Sequence, residues 1–347
     1  GGRGRRRSAG AVRALRWLAG WLLVPDAYRP WSLLAGRRSE RLLRSGGFSA
    51  VWTTSSPDSV HLAGRALRRR FGLPWIADFR DPWVERLSFR PPTPLHRRVH
   101  ERLERAVIRE ADAVVVTSDA TRHDLLERYR HIDPGKVTVI TNGYDEEDFR
   151  DFRWELPADR FRILHMGQLN PERSLEPLLG PVSRLLRTAP QLRGKIEIAC
   201  VGPHYMSHRD EVRAARLDDV TRFHPPCSHD SAVERLGRAH LLLLLEQSGE
   251  RGRLILPGKL FEYLRSGRPI LALVDPRSDA ARLVRERDAG WAFAPAEAAG
   301  IEQCLRDRLE AFLRGRMETG APREALDDVE RRRLAGRLAA LLDRLSS

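Results

Sequence analysis

A lysine and a glutamate stand three residues apart in the segment LPGKLFEYLRSGRP, residues 256–269. Pro257 and Gly258 precede a helical pattern with Lys259 in its first turn, Glu262 one turn later and Gly267 at its end. The start of a helix offers free N–H groups and a partial positive charge to a phosphate, and a lysine adds a full charge. Residues three apart share a helix face, so Glu262 could accept hydroxyl hydrogen bonds beside that phosphate. The segment predicts a site for a phosphorylated ligand with hydroxyl groups; the alternative is a capped helix with a Lys259–Glu262 ion pair.

Charged side chains also follow a short strand-like run in the first half of the chain, in the segment DFRDPW. Arg80 could hold a phosphate there, and Asp78 or Asp81 could orient a hydroxyl group. The alternative is a structural Asp–Arg pair that only fixes the loop. Further on, Asn142 and Gly143 form a turn signal, which serves either the backbone or a ligand.

Metal and serine chemistry are not supported. His204, His224 and His229 lack the spacing of metal ligands and no carboxylate cluster accompanies them, so we predict no metal. The serines at 55, 56 and 118 lack the glycine-flanked turn of a hydrolase nucleophile.

The net charge of +14 is concentrated at one end of the chain. Residues 1–50 hold 11 arginines against Asp26 and Glu40, a charge of +9, so the excess positive charge is confined to one short segment. We therefore expect no nucleic-acid partner. Only three of the 61 basic residues are lysines, at positions 136, 195 and 259. An individual arginine is therefore weak evidence for a binding site in this chain, whereas a lysine such as Lys259 is more informative.

The longest early apolar run, residues 17–24, is shorter than the roughly 20 residues that span a bilayer. With Arg13 and Arg16 beside Trp17 and Trp21, it could lie on an anionic membrane surface; the alternative is a helix that packs on the first domain. Pro25 and Asp26 follow where a signal peptide would have small residues. Three widely spaced cysteines form neither a disulfide framework nor a metal knuckle. We expect a cytoplasmic protein, with peripheral contact to the inner face of the membrane as a further possibility.

Short β-branched runs alternate with helical patterns from about residue 49, which is typical of parallel α/β sheets. The segment NGYDEEDFRDFRWELP, residues 142–157, interrupts this alternation. We predict two Rossmann-like doubly wound sheets that face a cleft, with an N-terminal domain at 1–148, a C-terminal domain at 149–322 and a last helix, 323–345, within a segment 323–347 that packs back across the junction. No strand-like run precedes Ala50, so the first sheet is expected to lack its first strand.

Four segments together resemble the GT-B glycosyltransferases, in particular the retaining enzymes of family 4, also called glycosyl transferase group 1. These are DFRDPW, VITNGYD, HMGQLNPERSLEPLL and LPGKLFEYLRSGRP, and the resemblance covers roughly residues 25–315. The DFRDPW segment is similar to the loop after a strand of the acceptor domain in bacterial members that build surface polysaccharides. The resemblance implies a nucleotide-diphosphate sugar as co-substrate, a glycan or lipid-linked acceptor, and no further cofactor.

The resemblance also implies roles for particular residues. Lys259 and Arg173 would bind the diphosphate and offset charge on the leaving group, and Glu262 would bind donor hydroxyls. Gly167 lets backbone approach the ligand closely. The remaining donor-side residues are Gln168, Pro257, Gly258, Leu260 and Glu246, and the acceptor-side residues are Asp78, Arg80, Asp81, Asn142 and Gly143.

Two positions depart from the family pattern. Gln168 stands where members carry an arginine, so one phosphate partner is lost or replaced. Leu254 stands eight residues before Glu262, where members commonly have a second glutamate. Glu246 and Glu250 follow an apolar strand and could supply a substitute; the alternative is that they are solvated loop acids.

The leading interpretation is a retaining, metal-independent glycosyltransferase of bacterial envelope polysaccharide biosynthesis. A nucleotide-sugar epimerase on the same architecture is an alternative, because fold does not determine chemistry. A nucleotide-sugar-binding homologue that has lost turnover is another, favoured by Leu254, Gln168 and the incomplete first sheet.

Overall fold

The structure is a computed structural model that describes residues 21, 23–171, 173–247 and 249–346. The chain divides into two compact units. The first unit consists of two segments of the chain, one that ends at Ile140 and one that begins at Gly336. The second unit is Thr141–Ala335. The predicted boundaries at residues 148 and 322 stay predictions. Among the described residues no helix is both long and apolar enough to cross a bilayer.

The first unit contains one parallel sheet of four strands in chain order. Its strands are β1 (Val51–Ser55), β2 (Trp75–Phe79), β3 (Ala113–Val116) and β4 (Val137–Val139). Its helices are α1 (Arg29–Arg44), α2 (Ser59–Phe71), α3 (Pro94–Glu110) and α4 (Asp119–Arg128). Every residue of β2 and β3 is buried, as expected for parallel strands that are covered on both faces. No strand precedes Val51 in the described residues.

The second unit contains a parallel sheet of six strands in the order β10-β9-β8-β5-β6-β7. The strands are β5 (Phe161–Met166), β6 (Ile196–Val201), β7 (Thr221–His224), β8 (Leu241–Leu245), β9 (Ile270–Leu273) and β10 (Gly290–Phe293). The chain builds outward from β5 to β7, returns to the other side of β5 and builds outward again. The strand order therefore reverses between β5 and β8, and ligands of doubly wound sheets bind beyond the strand ends at such a switch point.

The helices of the second unit cover both faces of this sheet. They are α5 (Glu176–Thr188), α6 (Met206–Ala214), α7 (His229–Gly237), α8 (Lys259–Arg265), α9 (Asp279–Glu286) and α10 (Ala298–Leu313). The all-leucine strand β8 shows the two layers: Leu242 and Leu244 pack in one core cluster, and Leu243 packs in the other. Helices α7, α8 and α9 lie over the first cluster, and α5, α6 and α10 over the second.

The prediction of one continuous helix over residues 323–345 is wrong. A 3-10 segment, Arg323–Val329, is followed by extended Glu330 and then by α11 (Arg331–Ser346). Glu330 forms a parallel bridge with Tyr144, whose backbone N–H donates to the Val329 carbonyl over 3.3 Å. Helical periodicity is overridden at that point because the backbone is paired with another segment.

Candidate functional site

A tight backbone loop follows β5 at the switch point of the second sheet. Gly167 has φ of 123°, a conformation that favours glycine, and its N–H donates to the Val201 carbonyl over 2.9 Å. Leu169 N–H donates to the Pro203 carbonyl over 2.9 Å. A Cβ on Gly202 would lie 2.4 Å from the Gly167 carbonyl oxygen, so only glycine permits this approach. The loop is therefore positioned by backbone contacts with the segment that follows β6.

The same loop then turns back and presents Arg173. The backbone N–H of Arg173 donates to the Asn170 carbonyl over 2.9 Å and to Asn170 Oδ1 over 2.8 Å. Arg173 Nε donates to Glu246 Oε2 over 2.6 Å. Glu246 follows β8, so this ion pair bridges the two strands that flank the switch point. The structure thus brings Arg173 and Glu246 together, and their roles toward a donor stay predictions.

Glu246 is the better of the two predicted substitutes for the missing glutamate. Its side chain is 3% exposed, and its Oε1 is buried without a hydrogen-bond partner among the described residues. A buried, unpaired carboxylate oxygen is costly unless a ligand completes it. Glu250, in contrast, is exposed and pairs with Arg253 and Arg277 over 2.9 and 3.0 Å.

Lys259 begins α8 and extends toward the Gly167 loop. A methyl group placed on Gly167 would lie 3.7 Å from Lys259 Nζ. Tyr263 anchors the helix beside β5, because its hydroxyl accepts from Met166 N–H over 2.8 Å. The pKa of Lys259 is lowered to about 8, chiefly by burial; the Glu246 carboxylate opposes this shift and the Arg173 charge adds to it. Lys259, Arg173 and Glu246 therefore form one electrostatic group, here named the switch-point cluster.

The segment that leads into α8 is held by the residues after β4. Asn142 Nδ2 donates to the Leu256 carbonyl over 3.2 Å. A Cβ on Gly143 would lie 2.2 Å from the Val329 carbonyl oxygen, so this glycine serves close backbone packing. Both residues belong to the second unit, although the sequence placed them on the acceptor side. Their observed contacts position the helix that carries Lys259.

The other predicted donor residues differ in how accessible they are. Gln168 is exposed. Gly258 is also exposed and has no neighbouring atom within 4 Å of where a Cβ would stand. Leu260 is fully buried, and its N–H donates to the Pro257 carbonyl over 3.1 Å. Open space therefore lies at Gly258, whereas Leu260 belongs to the core.

Glu262 has different neighbours from Lys259. Burial raises its pKa, and the charges of His229 and Arg331 oppose that effect. His229 begins α7, and its Nε2 lies 2.9 Å from Asp148 Oδ2, which raises the pKa of His229. No ion pair joins Lys259 to Glu262 among the described residues, so the Lys259–Glu262 ion pair considered as the alternative is not observed, and the role of Glu262 in binding donor hydroxyls stays a prediction.

Sequence reasoning missed several residues of this region. His165 lies buried in β5, where burial lowers its pKa far below the usual value and the Lys259 charge adds to the effect. Its Nδ1 donates to the Leu243 carbonyl over 3.0 Å, which leaves Nε2 unprotonated and without a partner among the described residues. The motif around Gly167 includes His165, but a lone histidine in an apolar strand gives no functional signal. Tyr263 lies within the segment 256–269 but was assigned no role, His229 was considered only as a metal ligand, and Asp148 was not singled out.

The predicted acceptor residues of the first unit lie at the end of β2. Asp78 is buried, and its Oδ1 lies 3.7 Å from Arg80 Nη1. Burial raises the pKa of Asp78, and Arg80 opposes the shift. Asp81 is exposed. The Asp78–Arg80 pair considered as the structural alternative is therefore present, and the ligand role of these residues stays a prediction.

Two further predictions concern the absence of a metal site and the membrane segment near residues 13–24. The described residues contain no cluster of histidine, cysteine and acidic side chains that could hold a metal ion. Residues 13–20 and 22 lie outside the described part of the chain. Trp21 packs edge-on against His96, with ring centroids 4.9 Å apart.

Comparisons with solved structures decide the fold. Sucrose-phosphate synthase from Thermosynechococcus elongatus matches with a TM-score of 0.67 at 16% identity, over 92% of this chain and 79% of that one. The fold is GT-B. The predicted GT-B architecture with two parallel sheets is thereby confirmed, and at this identity the likeness concerns the fold alone.

Sequence comparisons add the class of enzyme. The profile described as Glycosyltransferase Family 4 matches residues 2–148 of this GT-B chain. D-inositol 3-phosphate glycosyltransferase of Kineococcus radiotolerans is 29% identical over 154 residues, 40% of this chain. The protein of that name from Nocardioides sp. is 28% identical over 258 residues, 62% of this chain. The chain spans 35% and 56% of the lengths of these two relatives, which support a transferase of the glycosyltransferase class.

Proposed function

We propose that this protein transfers a sugar from a nucleotide-diphosphate sugar to a glycan or lipid-linked acceptor. The observation that carries the proposal is the position of Lys259 Nζ beside the Gly167 loop at the strand-order reversal. An ammonium group in that place can bind the diphosphate and offset the charge that develops as the bond from the sugar to the phosphate breaks. The relatives named glycosyltransferases support the same reaction class.

In this proposal the switch-point cluster binds the donor in two ways. Lys259 contacts the diphosphate, and Arg173 adds positive charge while it orients Glu246. The unpaired Oε1 of Glu246 accepts a hydroxyl group of the donor, which compensates for Leu254. Glu262, beside His229, binds further hydroxyl groups. The two cationic side chains take the place of a metal ion, and we propose transfer with retention of the anomeric configuration.

On the acceptor side we propose that Arg80 and the adjacent carboxylates serve the incoming hydroxyl. Their position at the carboxyl end of β2 is where parallel sheets bind ligands. The relatives' name specifies a phosphorylated polyol as acceptor, so inositol 3-phosphate belongs in the acceptor panel beside glycan and lipid-linked acceptors. Bacterial envelope polysaccharide assembly and peripheral contact with the cytoplasmic membrane belong to the same proposal.

The donor assignment is tested by thermal shift with UDP, GDP and dTDP. We expect at least one of them to raise the melting temperature of the wild type and to raise that of Lys259→Ala much less. Lys195→Ala is the matched control, because Lys195 is an exposed lysine on the 3-10 segment before β6. The donor assignment fails if no nucleotide stabilises the wild type, or if Lys259→Ala responds as the control does.

Turnover separates the proposed reaction from its alternatives. Mass spectrometry should detect a glycosylated acceptor in the presence of EDTA, and NMR of the product should show the anomeric configuration of the donor. Conversion of the donor sugar without any acceptor would instead identify an epimerase. Nucleotide binding without turnover across the acceptor panel would identify a binding homologue.

The membrane contact has its own test. The chain with and without residues 1–24 is sedimented with vesicles of phosphatidylglycerol and with vesicles of phosphatidylcholine. We expect the longer chain to bind the anionic vesicles more strongly. Equal binding of the two chains would remove this segment from the proposal.

A further inference from the structure

A second cationic cavity lies in the second unit, on the face of the sheet that α7 covers. Its volume is about 260 Å³. The side chains of Leu164 and Ala199, from β5 and β6, form its apolar floor. Five basic residues contribute to the rest of the lining, together with two glutamates and a serine: Arg162, Arg222, His224, Arg235 and Arg238. None of them belongs to the switch-point cluster, so the proposed donor site does not account for this cavity.

Most of the charged groups around the cavity are already paired. Arg162 Nε donates to Glu197 Oε1 over 2.8 Å. Arg238 Nη2 lies 2.7 Å from Glu234 Oε1. Glu197 and Glu234 are the two carboxylates that line the cavity, and each of them already forms an ion pair with an arginine. Arg222 Nη1 donates to the Asp218 and Thr221 carbonyls, each over 3.0 Å.

Arg235 is different from the other arginines of the cavity. Its Nε is inaccessible to solvent and has no hydrogen-bond partner, and the side chain forms no ion pair with any described residue. A partly buried guanidinium without an ion-pair partner is costly, and because Nε is closed to solvent, an anion in the cavity would accept from the terminal Nη1 and Nη2 groups of Arg235. Four guanidinium groups against two carboxylates leave the cavity with a positive balance.

The remaining polar groups suit a ligand with hydroxyl groups. Burial lowers the pKa of His224, and the nearby Arg235 adds to the effect, so the imidazole is neutral at pH 7 and can donate one hydrogen bond and accept another. Ser231 adds a hydroxyl group at the same cavity. A guanidinium fork fits two oxygens of a phosphate group in a planar arrangement.

We propose that this cavity binds the phosphate monoester of a small hydroxylated molecule, with Arg235 as the principal phosphate ligand. The phosphate accepts from the Arg235 guanidinium, and the neutral imidazole and the serine hydroxyl contact the rest of the molecule. The site is separate from the nucleotide-sugar site and does not depend on the proposed transfer reaction.

Isothermal titration calorimetry of the full chain tests the proposal, with inorganic phosphate and glycerol 3-phosphate as probes. The wild type should bind glycerol 3-phosphate with saturation at one site, and Arg235→Gln should weaken that binding roughly tenfold or more. Arg187→Gln is the matched control: Arg187 is an exposed arginine of α5 outside the cavity, and its loss should leave binding unchanged. Lys259→Ala should keep this binding and lose that of nucleoside diphosphates.

The two probes distinguish the sources of the phosphate. Tighter binding of glycerol 3-phosphate than of inorganic phosphate supports the ester, and the reverse order overturns the ester assignment. Equal loss in Arg235→Gln and Arg187→Gln, or heat signals that do not saturate, would overturn the site. Thermal unfolding in phosphate-free buffer excludes a folding defect: Arg235→Gln should be at least as stable as the wild type, because the Arg235 side chain has no ion-pair partner to lose among the described residues.

Discussion

Arg173 Nε lies 2.6 Å from Glu246 Oε2, and this ion pair bridges the loop after β5 and the end of β8. The pair ties together the two strands between which the strand order reverses. The pair also limits the positive charge that is available to a ligand, because the Glu246 carboxylate already offsets the charge of Arg173. The energetics of the pair are therefore the first quantity to measure.

Replacing Arg173 by Met should destabilise the fold by about 1–3 kcal/mol, because Glu246 is left buried without its partner. Glu246→Gln should cost less, and the double variant should give a coupling energy of about 0.5–3 kcal/mol in urea unfolding. The control is the same cycle on Arg253 and the exposed Glu250, with a coupling below about 1 kcal/mol. Equal couplings in the two cycles would contradict a special role for the Arg173–Glu246 pair.

Nucleotide binding should weaken as the pH rises through about 8. Burial places the pKa of Lys259 there, so the ammonium group loses its proton above that pH, and a diphosphate no longer meets a full charge. Titrations of the preferred nucleoside diphosphate between about pH 7 and about pH 9.5 measure the effect. Lys259→Arg should bind with little pH dependence over that range, since a guanidinium stays protonated. A wild-type affinity that is constant across the range would show that Lys259 does not carry the interaction.

Gly202→Ala should destabilise the protein by about 3 kcal/mol, because its Cβ would lie 2.4 Å from the Gly167 carbonyl oxygen and the residue has φ of 136°. Gly194→Ala is the control, since Gly194 has open space around it and should change unfolding by less than about 0.5 kcal/mol. Urea denaturation compares the two variants. Similar midpoints would mean that the Gly167 loop tolerates displacement.

Gly258→Ala should leave the fold intact and impair ligand binding. Gly258 has right-handed helical angles, and no atom lies within 4 Å of the position that a Cβ would take, so alanine fits and adds about 0.4–1 kcal/mol of stability. If a diphosphate occupies that open space beside Lys259, the added methyl group should lower nucleotide affinity. Thermal shift with and without nucleotide separates the two effects. Unchanged affinity would place the phosphates elsewhere.

The strands of both sheets could be predicted from sequence because parallel strands that are buried on both faces form short apolar runs. All five leucines of β8 are buried and form such a run. The helix after residue 323 could not be predicted in the same way. Its residues have helical periodicity, but the pairing of Glu330 with Tyr144 joins positions far apart in the chain. Local periodicity contains no information about such a contact.

The candidate site could be predicted where a motif concentrates unusual residues, as around Lys259 and Gly167. The motif did not reveal which charges pair. Arg173 and Glu246 are 73 residues apart, and they meet only because β5 and β8 are neighbours in the sheet. The charge of His229 acts on Glu262 because α7 and α8 lie on the same face of the sheet, and no spacing in the sequence indicates that.

The reversal of strand order beside β5 has a consequence for how such a protein can diverge. If a phosphate binds at this reversal as proposed, its position follows from the path of the backbone and would survive when individual side chains are exchanged. In the proposed site, the residues Gln168, Arg173 and Leu254 would therefore change individual ligand contacts without changing where the ligand binds. Relationships among proteins of the GT-B fold should therefore be easier to recognise from the connectivity of the second sheet than from any single motif residue.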